Sequence, residues 1–329
     1  MKQISKTGIP DPHEGACRKI GFFVTPEFSP LGVLGAIEAL RIANRLAGEA
    51  LYGWRIISQL GEPVKSANGL AFMSDISLPE AADFDQVFIC AGFFPETYCD
   101  DKTLAWIRKL DRHGTPIGAI CTGTQILAKA GVIKDRSCTI HSDHLPGLRE
   151  AYPKLEIVGG IYNIDRGLFT CAGGTSAIDL FVQLIAIDHG EKLAVAAAHE
   201  LQHDRIRKPE DAQSKTKRMG LRLRSPKLVR ALDLMEQNIE TPLTPSEISS
   251  KIGITQRQLQ RIFKKQLGSA PVQIYTKLRL DYSRSLLLQT ELPIIEIAVA
   301  SGFGSHGHFC KRYRAAFGNS PHFERTTAK

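Results

Sequence analysis

The sequence predicts two domains: a doubly wound α/β domain, followed by an all-α domain that contains two helix-turn-helix units. Three observations lead to this fold class. The chain has 329 residues, about the length of two domains. Short apolar runs alternate with helical patterns as far as residue 205, whereas every segment from Pro226 onward has a helical pattern. The two parts also carry net charges of opposite sign.

The formal net charge of +8 is concentrated at one end of the chain. Residues 1–204 contain 19 Lys and Arg against 24 Asp and Glu, whereas residues 205–329 contain 23 against 10. A basic module joined to a mildly acidic body indicates that one end of the protein meets a polyanion, and nucleic acid is the expected polyanion.

The composition excludes several classes of protein. With 43% apolar and 23% charged residues, the chain is typical of a globular protein and not of a disordered or fibrous one. Its seven cysteines contain no C-x-x-C pair, so we expect neither disulfides nor a metal site, and we expect no cofactor. The polar residues 1–16 do not form a signal peptide, and Asp179 and Gln183 interrupt the most apolar stretch, Ala177–Ile187. We therefore expect a soluble, cytoplasmic protein that does not enter a membrane.

Residues 1–17 are expected to form a disordered tail, because they contain few large apolar side chains. From residue 18 to residue 205, alternating strand and helix patterns predict βαβ units on a mostly parallel sheet. The expected strands are Ile20–Val24, Trp54–Ser58, Gln86–Ala91 and Ile117–Cys121. The expected helices are Leu31–Leu46, Lys102–His113, Thr122–Ala130 and Thr175–Ile187.

Residues 206–224 are expected to form a basic linker between the domains. The segment 205–224 has eight Lys or Arg and no apolar stripe that could face a core. A solvated linker and a segment that contacts DNA phosphates are both compatible with this composition. The all-α domain is expected to follow at residues 225–325.

Local signals define the helices of the all-α domain, the first of which is expected at Pro226–Asn238. The sequence T-P-S-E from Thr244 is a capping box with a proline at the first helical position, so a helix is expected to start there. That helix is expected to end at Gly253, and Thr255 is expected to cap another helix that runs to Gly268. Two helices joined by a short turn with glycine indicate a helix-turn-helix unit.

This helix-turn-helix unit occurs twice in the sequence. The matching positions of the first copy are Glu247, Ile248, Gly253, Ile254, Leu259, Arg261, Phe263, Lys264, Leu267, Gly268 and Pro271. Those of the second copy are Glu296, Ile297, Gly302, Phe303, Phe309, Lys311, Tyr313, Arg314, Phe317, Gly318 and Pro321. The offset is 49 residues through the glycine and 50 after it, so one residue was inserted before the second helix. A long helix, Val272–Gln289, is expected to hold the two copies rigidly.

The second helix of each copy has an apolar face and a polar, basic face. The candidate DNA-binding residues of the first copy are Gln256, Arg257, Gln260, Arg261 and Lys264. Those of the second copy are Ser305, His306, His308, Lys311 and Arg312. A helix fits the major groove, where Arg and Gln make bidentate contacts to guanine and adenine. Solvated faces of a helical bundle are the alternative, but the duplication and the charge favour DNA reading at two groove segments about 34 Å apart.

Three motifs in the basic domain are specific. They are Arg279–Leu287, I-x-E-I-A-x-x-x-G-F at Ile294–Phe303 and H-F-x-x-x-Y-R-x-x-F-G-x-S-P at His308–Pro321. With the repeat, they resemble the DNA-binding domain of AraC/XylS-type transcriptional regulators over residues 226–325. The family usually has a Tyr-Arg pair after the final proline, whereas here Phe323 takes the aromatic position. The resemblance implies that the residues facing the bases or the DNA backbone include Arg257, Gln260, Arg261, His306, His308 and Lys311.

Cys121 lies where a strand is expected to meet a helix, among small residues in the sequence A-I-C-T-G-T. This is the pattern of a nucleophile elbow, in which the helix dipole favours the thiolate. A buried, inert cysteine at the end of a strand is the alternative. His141 follows another expected strand, Ser137–Ile140. The spacing of Cys and His resembles the class I glutamine amidotransferase-like, or PfpI-type, superfamily.

Further motifs extend this resemblance across residues 18–206. They are E-A-L-R-x-A-N at Glu38–Asn44, S-A-N-G-L at Ser66–Leu70, C-T-I-H at Cys138–His141 and T-C-A-G-G-T-S-A-I-D at Thr170–Asp179. Together with the elbow, they resemble the GlxA family of regulators, which join such a domain to an AraC-type module. The resemblance implies a flavodoxin-like, amidotransferase-type sensor domain. The chain departs from the family after His141, where Ser142 and Asp143 replace a common Trp.

Backbone amides in the α/β domain are placed to bind a carboxylate. They follow Cys121, lie near Gly92 and precede the helix that starts at Gly174–Thr175. Three aromatic residues are candidates to face a cation, although core packing is the favoured interpretation of each: Phe93, Phe94 and Trp106. The candidate ligand-binding residues are Gly92, Phe93, Cys121, Thr122, His141, Gly174 and Thr175. We expect a carboxylate-bearing, nitrogen-containing effector such as an amino acid or a betaine-like compound.

The sequence therefore predicts a ligand-responsive transcription factor. We expect it to bind double-stranded promoter DNA as a homodimer formed through the α/β domain, and to act with RNA polymerase. The resemblance favours activation of a catabolic operon for an amino acid or quaternary amine. The alternative is a thiol-dependent amidase or hydrolase with a DNA-binding tail, for which Glu27 is a candidate acidic partner of Cys121. Fusion to two DNA-reading units favours sensing, so we expect no catalytic residue and a vestigial dyad of Cys121 and His141.

Overall fold

The computed structural model describes residues 18–81, 83–211, 213 and 225–328. The chain divides into two compact units, Met1–Gln213 and Ser214–Lys329. The expected tail at residues 1–17 lies outside the described residues, as do residues 212 and 214–224 of the expected linker.

The first unit continues past the boundary expected at residue 205. The N–H of Ile161 donates to the carbonyl of Pro209 at 3.1 Å, and the guanidinium of Arg207 pairs with Asp179 at 2.6 Å. Residues 206–211 and Gln213 are therefore part of the first unit and not of a linker. Polar contacts hold this segment in place, and because these contacts involve no apolar stripe, the pattern of apolar residues does not reveal them.

A mostly parallel sheet forms the centre of the first unit. The strands are β1 (Arg18–Val24), β2 (Tyr52–Ser58), β3 (Val64–Lys65), β4 (Ala71–Phe72), β5 (Ile76–Ser77), β6 (Gln86–Ala91), β7 (Ile117–Cys121), β8 (Tyr162–Asp165) and β9 (Leu168–Cys171). Among the described residues, seven strands form one sheet in the order β5-β2-β1-β6-β7-β9-β8. Every neighbouring pair is parallel except β8 and β9. Strands β3 and β4 form a separate antiparallel hairpin.

Helices cover both faces of this sheet. They are α1 (Pro30–Ala47), α2 (Asp101–Arg112), α3 (Gly123–Ala130), α4 (Leu145–Ala151), α5 (Ser176–His189) and α6 (Glu191–Glu200). Adjacent residues of one strand face opposite cores: Phe22 packs with residues of α1, α5 and α6, whereas Phe23 packs with residues of α2 and α3. The predicted doubly wound α/β fold, with its four expected strands and four expected helices, is confirmed.

The segment Ser137–Ile140 is not the strand that the sequence predicts. It forms only an isolated bridge between Cys138 and Ile157. The N–H of Thr139 donates to the side-chain hydroxyl of Thr170 at 2.9 Å instead of to a strand carbonyl. A side-chain acceptor thus replaces part of the strand ladder, and the segment before His141 adds no strand to the seven-stranded sheet.

All regular secondary structure among the described residues of the second unit is helical. Its helices are α7 (Pro226–Gln237), α8 (Pro245–Lys251), α9 (Gln256–Leu267), α10 (Pro271–Gln289), α11 (Ile294–Ala300), α12 (His306–Phe317) and α13 (Pro321–Ala328). The predicted caps are confirmed: the Thr244 and Thr255 hydroxyls accept from the third residue of α8 and α9. Two apolar cores, one for each helix-turn-helix unit, share the long helix α10.

Candidate functional site

The turn from β7 to α3 is the predicted elbow. Cys121 has φ 61°, a left-handed conformation that is rare for a residue with a side chain. The Thr122 hydroxyl donates to the carbonyl of Gly92 at the end of β6. The elbow therefore holds the Cys121 side chain at the carboxyl edge of the sheet.

A cavity of about 420 Å³ lies at this edge. It is lined by Glu27, Ser29, Pro30, Ala67, Asn68, Gly92, Phe93, Cys121, Thr122, His141, Asp143, His144, Gly173 and Gly174. Nine of the lining residues come from the turns that follow β1, β6, β7 and β9, since parallel strands bring their carboxyl ends together, and the other five come from the β3–β4 turn and the segment before α4. The volume is that of a site for a small molecule.

The structure brings six of the seven predicted ligand-binding residues to this cavity: Gly92, Phe93, Cys121, Thr122, His141 and Gly174. Thr175 is not among the lining residues, and its hydroxyl accepts a hydrogen bond from Arg207 at 2.9 Å. Of the three candidate aromatics, Phe93 lines the cavity and is 61% exposed. Trp106 instead packs against Phe23 in the core, and Phe94 does not line the cavity.

Several lining residues were not predicted from the sequence as parts of a ligand site. Ser29 and Pro30 begin α1, Asn68 lies in the β3–β4 turn, and His144 precedes α4. The motif S-A-N-G-L did mark the β3–β4 turn, but no residue of it suggested a role. Ala67 donates its N–H to the carbonyl of Phe28 at 3.1 Å, a long-range contact that brings this turn to the cavity.

The environment of Cys121 favours the neutral thiol. Burial raises the pKa of Cys121 to about 11; the nearby Asp143 carboxylate raises it further, and a hydrogen bond from the Thr122 N–H only partly offsets this. Burial therefore opposes the thiolate that the helix dipole is expected to favour. Glu27 lines the same cavity, but Asp143 supplies the carboxylate that acts on Cys121.

Two histidines stand side by side in the cavity, with ring centroids 6.4 Å apart. Burial lowers the pKa of His144 to about 4, with a smaller contribution from His141, so the His144 ring is neutral at neutral pH. Its buried Nδ1 has no hydrogen-bond partner among the described residues. The Nδ1 of His141 accepts from the N–H of Asp143 at 3.3 Å. The cavity is therefore lined by a neutral imidazole.

The second unit exposes the predicted DNA-binding residues. They are Gln256, Arg257, Gln260, Arg261 and Lys264 on α9, and Ser305, His306, His308, Lys311 and Arg312 at α12. The opposite faces are buried, with Leu259 and Phe263 under α9. The Ser305 hydroxyl accepts from the N–H of His308 and thus caps α12, a role that the sequence analysis did not assign to it.

Arg279 ties the long helix α10 to the turn of the second helix-turn-helix unit. Its Nε donates to the carbonyl of Ser301 at 2.9 Å, and its Nη2 donates to that of Gly302. The guanidinium lies 4.3 Å from the centre of the Phe303 ring. These contacts fix the turn between α11 and α12 and so set the orientation of α12.

No group of three or more His, Cys, Asp or Glu residues in the described part of the chain is placed to hold a metal ion. No helix in residues 18–81, 83–211 and 225–328 is both long enough and apolar enough to cross a membrane.

Comparison with known proteins gives the class of this chain. The DJ-1/PfpI family matches residues 18–187, and a helix-turn-helix domain matches residues 248–326. Two solved structures support this fold. An AraC family transcriptional regulator from Pseudomonas putida has TM-score 0.52 and 24% identity, and the match covers 56% of this chain and 99% of that one. A ThiJ/PfpI family protein from Pseudomonas syringae has TM-score 0.51 and 23% identity, and the match covers 70% of this chain and 92% of that one. A DJ-1/PfpI domain joined to an AraC-type helix-turn-helix region defines a class of transcriptional regulator.

Relatives of known class match nearly the whole chain. The transcriptional regulator CdhR of Pseudomonas aeruginosa is 38% identical over 304 residues, which is 92% of this chain and 90% of CdhR. GlxA of Rhizobium meliloti is 34% identical over 92% of this chain and 94% of its own. ArgR of Pseudomonas aeruginosa is 35% identical over 94% and 93%. The chain therefore belongs to the family of AraC-type transcriptional regulators with a DJ-1/PfpI domain, and its helix-turn-helix domain implies DNA as a partner.

Proposed function

We propose that this regulator senses a small zwitterion that carries a carboxylate and a cationic nitrogen, and that the zwitterion binds in the cavity at Cys121. The observation that carries the proposal is the mixed character of the lining. It combines two acidic side chains, Glu27 and Asp143, and an exposed aromatic ring, Phe93, with the amino ends of two helices. Among the described lining residues there is no Lys or Arg.

The two ends of the ligand need different partners. Gly173 and Gly174 have φ of 84° and 57° in the turn that leads into α5, and both line the cavity, so the backbone groups at this helix start are our candidates for the carboxylate. Together with the start of α3, these groups suit a carboxylate. The carboxylate of Glu27 and the face of Phe93 suit an ammonium or quaternary amine.

Sensing accounts for the chemistry of Cys121 better than catalysis does. A thiol-dependent amidase needs a thiolate and a base that activates it. Burial raises the pKa of Cys121 to about 11, and Asp143 disfavours the thiolate further. Turnover would also remove the molecule whose presence the protein reports. The elbow thus serves as part of a binding wall, and the protein is a sensor and not an enzyme.

The proposal extends to the DNA side. The regulator binds promoter DNA as a homodimer through its α/β domain, contacts bases and phosphates with the exposed residues of α9 and α12, and activates a catabolic operon together with RNA polymerase. The exposure of all ten candidate residues, the duplication and the basic charge support this assignment.

A thermal-shift experiment on the full chain tests the effector class. Glycine betaine and L-arginine are compared with choline and agmatine, which lack the carboxylate, and with 3,3-dimethylbutyrate, which lacks the cation. At 100 times its Kd, a ligand stabilises the protein by about 2.7 kcal/mol. We expect one of the zwitterions to raise Tm, and we expect no rise in Tm with the analogues that lack its carboxylate or its cation.

Two adjacent phenylalanines supply a matched pair of variants. Phe93→Ala is expected to weaken the shift, whereas Phe94→Ala, outside the lining, is expected to retain it. Glu27→Gln should weaken binding of the zwitterion, because it removes a carboxylate that faces the cation, but should not weaken binding of 3,3-dimethylbutyrate, which has no cation. The proposal fails if no zwitterion stabilises the wild type, or if Phe93→Ala and Glu27→Gln respond as the wild type does.

A further inference from the structure

A segment at the end of the first unit is docked beside the cavity. It comprises residues 203–211 and Gln213, and we call it the strap. The second unit begins at the next residue, Ser214. Two polar anchors hold the strap, and each anchor involves a residue adjacent to one that lines the cavity.

The first anchor is Asp179 on α5, whose side chain is fully buried. Its Oδ1 lies 2.8 Å from Nε2 of His203 and accepts from the N–H of Arg207 at 2.8 Å. Its Oδ2 accepts from Nε and Nη2 of Arg207 at 3.0 and 2.6 Å. The same Nη2 donates to the hydroxyl of Thr175 at 2.9 Å. Arg207 therefore ties the strap to the residue that follows Gly174 of the cavity.

The second anchor is the side-chain amide of Gln213. Its Oε1 accepts from the N–H of Ser142 at 2.7 Å. Its Nε2 donates to the carbonyls of Ile140 at 2.7 Å and Gly160 at 3.0 Å. His141 of the cavity lies between Ile140 and Ser142, so one amide group holds the backbone on both sides of it.

The strap is also fixed between its anchors. The carbonyl of Pro209 accepts from the N–H of Ile161 at 3.1 Å. A Cβ added to Gly160 would lie 2.0 Å from that carbonyl oxygen, so the two backbones are in close contact. The strap is therefore held to the first unit at Pro209 as well as at its two anchors.

We propose that the strap transmits the occupancy of the cavity to the chain that leads into the DNA-binding unit. This inference rests on the proposed sensing function. A ligand whose carboxylate binds at Gly174 changes the position of the adjacent Thr175, and a ligand that contacts His141 changes the position of the adjacent Ser142. Both belong to the anchors: the Thr175 hydroxyl accepts from the charged guanidinium of Arg207, and the Ser142 N–H donates to the neutral amide of Gln213. A shift of either residue therefore lengthens or bends a hydrogen bond that holds the strap. The ligand thus favours one docking state of the strap over another, which is the differential affinity that a population shift requires.

The first test needs no effector. Amide hydrogen exchange is measured on the full chain for the wild type, Gln213→Ala and Gln202→Ala. Gln202 is an exposed matched control whose amide contacts the carbonyl of His199 in its own turn. If the strap is one unit, Gln213→Ala speeds exchange of the Arg207 N–H, at the far anchor, by about tenfold or more, and Gln202→Ala does not. The proposal is overturned if only Ser142 exchanges faster.

The second test measures promoter response with glycine betaine and L-arginine in a reporter strain. Gln213→Ala and Thr175→Val are each expected to show a rise in Tm at saturating effector, so that the ligand still binds, while the ratio of expression with and without effector falls by about fivefold or more. Thr175→Val leaves Asp179 paired with Arg207, so the fold is retained. Unchanged ratios in both variants overturn the proposal. If neither compound shifts the wild type, the sensing function fails, and the exchange result still decides whether the strap is one unit.

Discussion

Gly173 contacts Cys121 so closely that a Cβ added at residue 173 would lie 2.6 Å from the Cβ of Cys121 and 3.2 Å from its Sγ. The turn before α5 therefore packs directly on the elbow. Both residues have left-handed backbones, with φ of 84° and 61°. The strained turn at Cys121 and the turn at Gly173, which follow neighbouring strands, thus meet where they line the cavity, and their contact sets the position of the wall that we assign to the carboxylate.

Gly173→Ala is expected to destabilise the first unit by about 2 to 4 kcal/mol, because it adds a steric clash to the strain of a positive φ. Gly114 gives a matched control: it has φ 74°, and an added Cβ there meets nothing within 4 Å. Gly114→Ala should cost only about 1 kcal/mol. Urea denaturation of both variants measures the difference, and equal losses would contradict a close packing of Gly173 on Cys121.

The elbow and the caps could be predicted from the sequence because their signals are local. Thr244 and Thr255 each bond to a group three residues away, so a short stretch of sequence is sufficient. The strap could not be predicted in the same way. Arg207 and its partner Asp179 are 28 residues apart, and a run of basic residues without an apolar stripe is typical of a linker. The raised pKa of Cys121 also depends on burial by distant elements, which no local pattern reports.

Cys121 should react slowly with iodoacetamide at neutral pH. Burial raises the pKa of its thiol to about 11, so the thiolate fraction is about one in ten thousand at pH 7 and rises about tenfold per pH unit. Peptide mapping by mass spectrometry separates Cys121 from the other cysteines. Rapid alkylation at pH 7, on the scale of a free cysteine of ordinary pKa, would favour the amidase over the sensor.

His144 makes the stability of the first unit depend on pH. Burial lowers the pKa of His144 to about 4 in the folded protein, against an ordinary value of 6.5, so the unfolded chain takes up the proton first. The stabilising contribution is complete above pH 6.5 and is lost as pH falls from 6.5 towards 4. At pH 5, the loss from this group is about 2 kcal/mol.

Urea denaturation at pH 7 and pH 5 measures this effect. The free energy of unfolding of the wild type should fall by about 2 kcal/mol more than that of His144→Gln over this interval. His113→Gln, at an exposed histidine, should keep the pH dependence of the wild type. If His144→Gln shows the same slope as the wild type, His144 is not buried as a neutral ring.

Arg279→Lys should loosen the second helix-turn-helix unit while keeping the charge. Lysine cannot donate from one planar group to the carbonyls of both Ser301 and Gly302 and also stack on Phe303. We expect a loss of about 1 to 2 kcal/mol in the stability of the helical unit and weaker binding of DNA by α12. Arg230→Lys, on the exposed face of α7, is the control. Equal denaturation midpoints for the two variants would show that Arg279 does not hold the turn.

Arg261 and Lys264 should affect DNA binding differently, although both are exposed on α9. Arg261→Ala is expected to cost about 1 to 3 kcal/mol on a selected duplex and to relax specificity at one base pair, because a guanidinium reads a base edge. Lys264→Ala should weaken binding to all sequences and reduce the slope of log K against log salt by about 1, because an ammonium contacts phosphate. Lys109→Ala, an exposed lysine of the first unit, controls for the loss of one positive charge. Binding curves at several salt concentrations, on the selected duplex and its single-base variants, separate these effects. If Arg261→Ala lowers the affinity for all sequences uniformly, α9 contacts only the DNA backbone at this position.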